Sequence, residues 1–356
     1  MHKKVTFIVP YPYGIAPGQR FRYEQYLELL VQQGYTVKTY SFFSLKAYQL
    51  LYSSNNFGRL LFTLWGYVKR TLQLPLLFSV DYVFLFREAS PLGPPVFEWI
   101  VAKVLRKKII YDFDDAIWLP QYQENPRLLD KLRNPSKVNS IIKWSWKISC
   151  GNAYLAGHAR QFNANVVVNP TTIDTEHLHN QIKNQQTDKL VIGWTGTHST
   201  LMYLEPLIPL IKKLEEKYDF ELLVIANVKP EFECKSLRFI PWNKDTEIDD
   251  LLRMNVGVMP LLDDAWTRGK CGFKALQYMA LGIPAIISPV GVNKEIIQQG
   301  VNGYLCNTDE EWSAAFEALL KDPELRITQG KAARKTVVDR YSVVSNTKNF
   351  LDLFNV

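Results

Sequence analysis

The stretch Arg268–Gly291, RGKCGFKALQYMALGIPAIISPVG, reads in one run as loop, helix, stop, strand and turn. Leu276, Met279 and Ala280 form the apolar stripe of a helix whose end is marked by Gly282 and Pro284. The AIIS that follows suits a short strand buried on both faces. Lys270 and Lys274 stand four positions apart, so a helix through both presents them on one side, and Arg268 joins them from the loop. Such a cation cluster is a place to hold phosphate, and equally a solvated basic turn on a core helix. The segments on either side decide the fold.

Upstream, LVIGWTG, FELLVIAN, LRFIPW and NVGVMPL supply strands, with helical patterns at YLEPLIPLIKKLEEKY and DTEIDDLLRM. Downstream, DEEWSAAFEALLKDP and PELRITQGKAARKTVVDRYS are late helices. The first half alternates in the same way. KVTFIVPYP is a strand, FRYEQYLELLVQQG a helix ended by Gly34, and YTVKTYSF a strand, followed by DYVFLF, KKIIYDF, WKISC and NVVVNP. Two successive βα arrays predict an α/β protein of two doubly wound Rossmann-like domains facing a cleft. The expected boundaries are a first domain over 1–175, a polar linker over 176–188, and a second domain over 189–335. A C-terminal helical segment over 336–356 is able to cross back to the first domain.

Composition narrows the partners. The four cysteines, Cys150, Cys234, Cys271 and Cys306, lie far apart, which argues against a zinc site or a disulfide framework and fits a reducing compartment. The apolar run after Lys3 and Lys4 is too short for a signal peptide. No window carries the roughly 18–20 apolar residues of a spanning helix. The expected location is the cytoplasm or the inner membrane surface. The net charge of +7 divides into +10 over residues 1–175 and −3 over 176–356, so the first half favours an anionic partner. No G-x-G-x-x-G follows the first strand, no Walker loop is present, and no nucleic-acid reader motif accompanies the basic half.

The loops at the strand ends carry the chemistry. In TGTHST, Gly196 permits close backbone approach, while Thr197, Ser199 and Thr200 offer hydroxyls that either cap a helix or meet phosphate. In YDFDDAIW, Asp112, Asp114 and Asp115 are open to three readings: metal ligation, capping, or hydrogen bonding to polyol hydroxyls. On an extended chain the neighbours Asp114 and Asp115 point opposite ways. No metal partner is placed beside them, so no metal is expected. GQRFR contributes Gly18, Arg20 and Arg22, with the two arginines on different helix faces. His158 reads as a surface or core histidine.

Leu45–Leu77 mixes Leu, Phe, Tyr and Trp65 with Lys46, Arg59, Lys69 and Arg70 and contains no acid. It reads either as a basic amphipathic segment on an anionic membrane or as a helical pair packed on the first sheet. On the membrane reading, Lys69→Glu with Arg70→Glu weakens vesicle binding.

Taken in order, these residues resemble the retaining glycosyltransferases of the GT-B fold, the group 1, family-4-like type. The resemblance rests on QRFRYEQYLELLVQQGYTVKTY, on VVVNPTTIDTEHL, and above all on CGFKALQYMALGIPAIISPVGVNKEIIQQGVNGYLC. It implies a nucleotide-diphosphate-sugar donor on the second domain and a glycan or lipid-linked acceptor on the first, with retention and no metal or other cofactor. Cell-surface polysaccharide or glycoconjugate synthesis is the implied setting. Arg268, Lys270 and Lys274 then neutralise the diphosphate with Gly196, Thr197, Ser199 and Thr200. Asp112, Asp114 or Asp115 lies near the reacting hydroxyl, and Gly18 and Arg20 lie on the acceptor side. This chain departs from the family's two glutamates eight positions apart: Gln277 replaces the second and Gly269 falls at the first, with Asp263 or Asp264 able to stand in. Its TGTHST replaces the family's Gly-Arg phosphate loop. A same-fold epimerase and a non-catalytic sugar- or nucleotide-binding protein are the alternatives.

Overall fold

A computed structural model describes residues 3–51, 56–120 and 133–355. Twelve strands are present among them: β1 Lys4–Val9, β2 Thr36–Ser41, β3 Tyr82–Phe86, β4 Lys108–Phe113, β5 Lys147–Cys150, β6 Val166–Val168, β7 Leu190–Gly196, β8 Phe220–Ala226, β9 Leu237–Pro241, β10 Val256–Met259, β11 Ala285–Ile287 and β12 Gly303–Leu305. They form two six-stranded sheets, ordered β2-β1-β3-β4-β5-β6 and β12-β11-β10-β7-β8-β9. The strand pairings are parallel in both. The fold is the α/β, two-Rossmann-like-domain architecture expected.

Unbroken apolar runs explain the parallel sheets. Every residue of β3 is buried, as are all but the first of β4, because helices cover both faces. In the second sheet Ile192, Trp194, Leu222, Val224 and Val258 build a core with Trp312 and Phe316 from the Asp309–Lys321 helix. Thr308 caps that helix, accepting from the Glu311 amide while the Glu311 carboxylate accepts from the Thr308 amide.

The chain divides into two compact units. One extends to Thr171 and regains the chain from Thr347, while the other is Thr172–Asn346. The stretch 176–188, read from its polarity as a linker, lies within the second unit. Its polar groups bond to backbone there: Lys183 N–H donates to Leu281 O at 2.8 Å, and the Gln185 amide to Asn255 O at 3.2 Å. Arg334 adds bonds to the carbonyls of Thr175, His179 and Ala280. Residues 336–346 stay with this unit; only the chain from Thr347 joins the first. There Phe350 stacks on Tyr26 at 4.2 Å, and Lys147 Nζ donates to Asp352 O and Asn355 O at 2.7 and 2.9 Å.

FRYEQYLELLVQQG is not one helix. Pro17–Arg22 is helical, Glu24–Tyr26 forms a 3₁₀ turn, and Leu27–Gln32 resumes. The break lies at Tyr23, φ −140°, whose buried ring stacks on Phe7 at 5.0 Å. Burying that ring outweighs helix continuity.

Leu45–Leu51 and Asn56–Gln73 are both helical; residues 52–55 of the Leu45–Leu77 segment lie outside the described residues. Arg70 is buried, which overturns its reading as a lipid-facing cation. Its guanidinium donates to Val9 O (2.6 Å), Ala89 O (2.7 Å), Tyr40 O (2.9 Å) and Gln73 Oε1 (2.8 Å). Burial pushes its pKa down to about 9. Lys69 is half-buried against Ser41 O at 3.4 Å. Arg70→Glu would place an unpaired carboxylate among carbonyl oxygens, so the paired Glu substitution tests folding rather than lipid contact.

Because Phe350 is fully buried, Phe350→Ala is expected to cost about 3–5 kcal/mol, the range for removing a core aromatic ring. Urea unfolding measures this; a loss below about 1 kcal/mol would show that the C-terminal docking contributes little.

Candidate functional site

In an open parallel sheet, neighbouring loops diverge where the strand order reverses, leaving a crevice beyond the carboxyl ends. In the second unit the chain runs outward through β7, β8 and β9, then returns to place β10 on the other side of β7. The loops after β7 and β10 therefore flank that crevice. They are the end of TGTHST from Thr197, whose Thr195 and Gly196 close β7 itself, and the segment carrying Arg268 and Lys270.

The β10 loop turns through Thr267–Gly269 and feeds the Phe273–Ala280 helix, which starts at Gly272 with φ 68°. Lys274 Nζ lies 5.6 Å from the Trp194 ring centre on β7, and Lys270 Nζ 5.1 Å from that of Trp266. Each ammonium group thus lies within cation–π range of an aromatic ring. The Tyr278 hydroxyl accepts from the Thr195 amide at 3.0 Å and ties the same helix to the end of β7. Arg268 is exposed and donates to Asp263 Oδ1 at 2.6 Å, a bond that lowers the Asp263 pKa. Asp264 shapes the loop instead: its carboxylate accepts from the Thr267 amide at 2.7 Å, and its own amide donates to Thr267 Oγ1 at 3.0 Å.

In TGTHST the hydroxyls cap a short helix, and Thr197 and Ser199 remain exposed beside it, so capping and a phosphate contact are compatible. Thr200 Oγ1 accepts from the Thr197 amide at 3.0 Å, and Thr197 and Ser199 hydroxyls bond to each other at 3.0 Å. A Cβ on Gly196 would stand 2.4 Å from the Trp194 ring and 2.7 Å from Thr200 Oγ1, so only glycine fits between them. Gln277 is buried, its amide donating to Glu247 Oε1 at 3.3 Å. Glu247 was missed in the sequence reading. It opens the Glu247–Leu251 helix after β9, so only topology brings it to Gln277.

In the first unit the strand order reverses between β1 and β3. Gly18 and Arg20 follow β1, Arg87 follows β3, and Asp114 and Asp115 follow β4. Arg87 was likewise missed. Its guanidinium reaches Asp114 Oδ1 at 2.8 Å through Nε and Asp115 Oδ2 at 2.6 Å through Nη2. The two neighbouring acids thus converge on one cation rather than pointing apart, because β4 ends at Phe113 and the chain bends. Arg87 takes the left-handed conformation, φ 58°, with its amide donating to Asp112 O at 2.8 Å. Such backbone strain collects at functional sites. Burial opposes the Arg87 charge, but Asp114 and Asp115 outweigh it and raise its pKa. Burial raises the Asp114 pKa, with Arg87 pulling against it and Asp115 adding to it. A Cβ on Gly18 would lie 3.2 Å from Asp114 Oδ2, so Gly18 borders this cluster. Arg20 is buried, its guanidinium carbon 5.0 Å from the Phe21 ring centre.

Asp112 is removed from the candidate catalytic set. It is fully buried and bound by Arg22 at 2.5 and 3.1 Å, with Ser149 donating to the same carboxylate. His158 stacks in parallel on Trp118, ring centres 3.8 Å apart, with Nε2 2.8 Å from Asn139 Oδ1, and burial lowers its pKa.

Residues 179–336 match the family described as glycosyl transferases group 1. The N-acetyl-alpha-D-glucosaminyl L-malate synthase of Bacillus anthracis is 30% identical over 180 residues, 47% of this chain and 45% of that protein. The match thus spans under half of the relative's length. Among solved structures, sucrose-phosphate synthase from Thermosynechococcus elongatus superposes with a TM-score of 0.74 at 14% identity over 99% of this chain and 98% of its own. HepE from Anabaena, solved in complex with UDP and glucose, gives 0.65 at 12% identity over 100% of both chains. The fold is that of the GT-B glycosyltransferases.

Asp112→Ala is expected to cost about 3–5 kcal/mol, since it leaves the Arg22 charge buried without its partner. Asp115→Ala should cost less, because Arg87 keeps Asp114 as a partner when Asp115 is removed. Equal losses in urea unfolding would contradict this separation of roles.

Proposed function

Taking the group 1 match of residues 179–336 as premise, we propose that this protein is a retaining glycosyltransferase. It moves a sugar from a nucleotide-diphosphate-sugar to a glycan or lipid-linked acceptor, in cell-surface polysaccharide or glycoconjugate synthesis. It works in the cytoplasm, peripherally at the inner face of the cell membrane. The observation that carries the reading is the pair formed by Lys270, extended in the β10 loop rather than on the helix, and Lys274 in the first turn of the Phe273–Ala280 helix, beside the strand-order reversal of the second sheet. The Bacillus anthracis relative's N-acetylglucosaminyl chemistry and the UDP of the HepE structure support it.

The diphosphate sits against Lys270, Lys274 and the Thr197–Thr200 hydroxyls, with Arg268 at the rim. As the bond from the anomeric carbon to phosphate oxygen breaks, negative charge grows on the leaving diphosphate. The lysines therefore stabilise the transition state more than the bound donor. The acceptor oxygen bonds to the anomeric carbon on the same face, and its proton passes to the departing phosphate oxygen. Glu247 Oε1 takes one Gln277 amide hydrogen, and Gln277 Oε1 accepts from a ribose hydroxyl. Asp263 acts through Arg268, and Asp264 holds the loop's shape. In the first unit Asp114 and Asp115 accept from acceptor hydroxyls beside Gly18, with Arg20 on the acceptor side and Arg87 fixing both carboxylates. With Lys270, Lys274 and Arg268 supplying the positive charge for the diphosphate, the reaction is expected to need no metal or other cofactor.

Lys270→Ala is expected to lower kcat/KM by about 10²-fold or more while the thermal unfolding midpoint stays near wild type. An unchanged kcat/KM would remove Lys270 from the diphosphate site. A thermal-shift screen over UDP-, GDP- and ADP-sugars identifies the donor, because a specific ligand stabilises the native state by mass action. Transfer should persist after exhaustive EDTA treatment; loss of activity restored by Mg²⁺ or Mn²⁺ would overturn the metal-free mechanism.

A further inference from the structure

The Asn56–Gln73 helix is packed inside out. Phe57, Leu61, Leu64, Trp65, Val68 and Leu72 recur at spacings of one to four residues, which places them on one helical face, and all six are exposed. Phe57 is 71% exposed and Trp65 54%. The opposite side packs inward through Thr63, Gly66 and Arg70. Gly66 is required there, because a Cβ would stand 2.4 Å from the Phe42 ring. Thr63 satisfies its hydroxyl on Arg59 O at 2.8 Å. A surface helix ordinarily turns its apolar stripe to the core. Here the stripe is turned out and its continuation, the 3₁₀ segment Leu74–Ser79, leaves Phe78 68% exposed.

We propose that this face is a membrane-docking surface that inserts its apolar side chains into an anionic lipid interface. The inference deepens the membrane clause of the proposed function by naming the surface that makes the contact. Charge selects the occupant. Residues 45–77 contain no acid, and Lys107 Nζ donates to Phe78 O at 2.9 Å, which brings Lys107 to the end of the stripe, with Lys103 and Arg106 shortly before it in the chain. Lys103 and Arg106 are exposed. A second copy of the chain would set these like charges against each other, whereas anionic headgroups complement them. Trp65 has the amphipathic ring that favours the lipid–water boundary. No helix among the described residues is long and apolar enough to cross a membrane, so contact through this face lies in the interfacial plane.

Arg70 connects this face to the candidate acceptor residues. It holds Val9 O at the end of β1, Tyr40 O in β2 and Ala89 O beyond β3. In a parallel sheet these are carboxyl ends, the same end that carries Gly18, Arg87, Asp114 and Asp115. The docking helix and the acid–arginine cluster are thus attached to one edge of the first sheet. An acceptor anchored by an acyl or polyprenyl chain would have its polar head presented at that edge.

The test is sedimentation of the whole chain, without donor, on vesicles of phosphatidylcholine alone or mixed with phosphatidylglycerol. Wild type should bind the mixed vesicles about tenfold or more tightly than the neutral ones, and high salt should weaken binding without abolishing it. Leu61→Ser with Trp65→Ser should lower the partition coefficient by about tenfold or more, with an unchanged thermal unfolding midpoint reporting an intact fold. Failure of wild type to bind anionic vesicles overturns the proposal. So does a concentration-dependent dimer that the double variant abolishes, which would make the face a protein contact. Vesicle binding is read independently of sugar transfer, so failure of the transferase reading leaves a distinct result.

Discussion

The first unit is organised around a buried charge that needs a partner. Arg22, at the end of the Pro17–Arg22 helix, closes on Asp112 in β4 and also bonds to the carbonyl of Asn169 just beyond β6. Ser149 of β5 donates to the same carboxylate. One guanidinium therefore ties the helix after β1 to the carboxyl-end region of β4, β5 and β6. Removing either ion from water costs several kcal/mol, and only close geometry with further hydrogen bonds offsets that cost. The arrangement tolerates little change in the relative positions of these elements. That rigidity is what places Arg87, Asp114 and Asp115 beside it.

Burial divides the acids of YDFDDAIW into two jobs. Asp112 belongs to the ordered strand, faces the core and balances Arg22. Asp114 and Asp115 lie past the strand end, half-buried, and share Arg87. The shift in exposure over two residues separates a structural ion pair from a cluster able to meet ligand hydroxyls. A similar division runs through the β10 loop, where Asp264 shapes the turn while Arg268 and the two lysines stay near the surface.

The sequence made the architecture legible where signals were local. Apolar runs such as YVFLF and stop signals such as Gly34 and Gly282 identify strands and helix ends without tertiary information. Lys270 and Lys274 were visible for the same reason. What escaped depends on contacts across the chain. Glu247 reaches Gln277, thirty positions on in the chain, and Arg87 gathers two acids nearly thirty residues on. Neither pairing has a spacing signature. Polarity also misled, since the stretch read as a linker satisfies its polar groups on the second unit's backbone.

Arg70 shows why charge alone does not predict exposure. In sequence it stands beside Lys69 as half of a basic pair, yet Lys69 is half-buried while Arg70 spends its donors on backbone carbonyls and one glutamine. A planar guanidinium with five donors can satisfy several oxygens at once, which a lysine ammonium with its compact point charge does less well. Once Arg70 occupies the inward side, helical geometry forces Leu64, Val68 and Leu72 outward, because their positions lie on the opposite face. The exposed stripe is thus a geometric consequence of a polar inward anchor. A chain selected only for solubility would place polar residues on that outward face. Retaining Leu, Trp and Phe there, beside a basic run and without an acid, is the pattern expected of a surface that meets lipid.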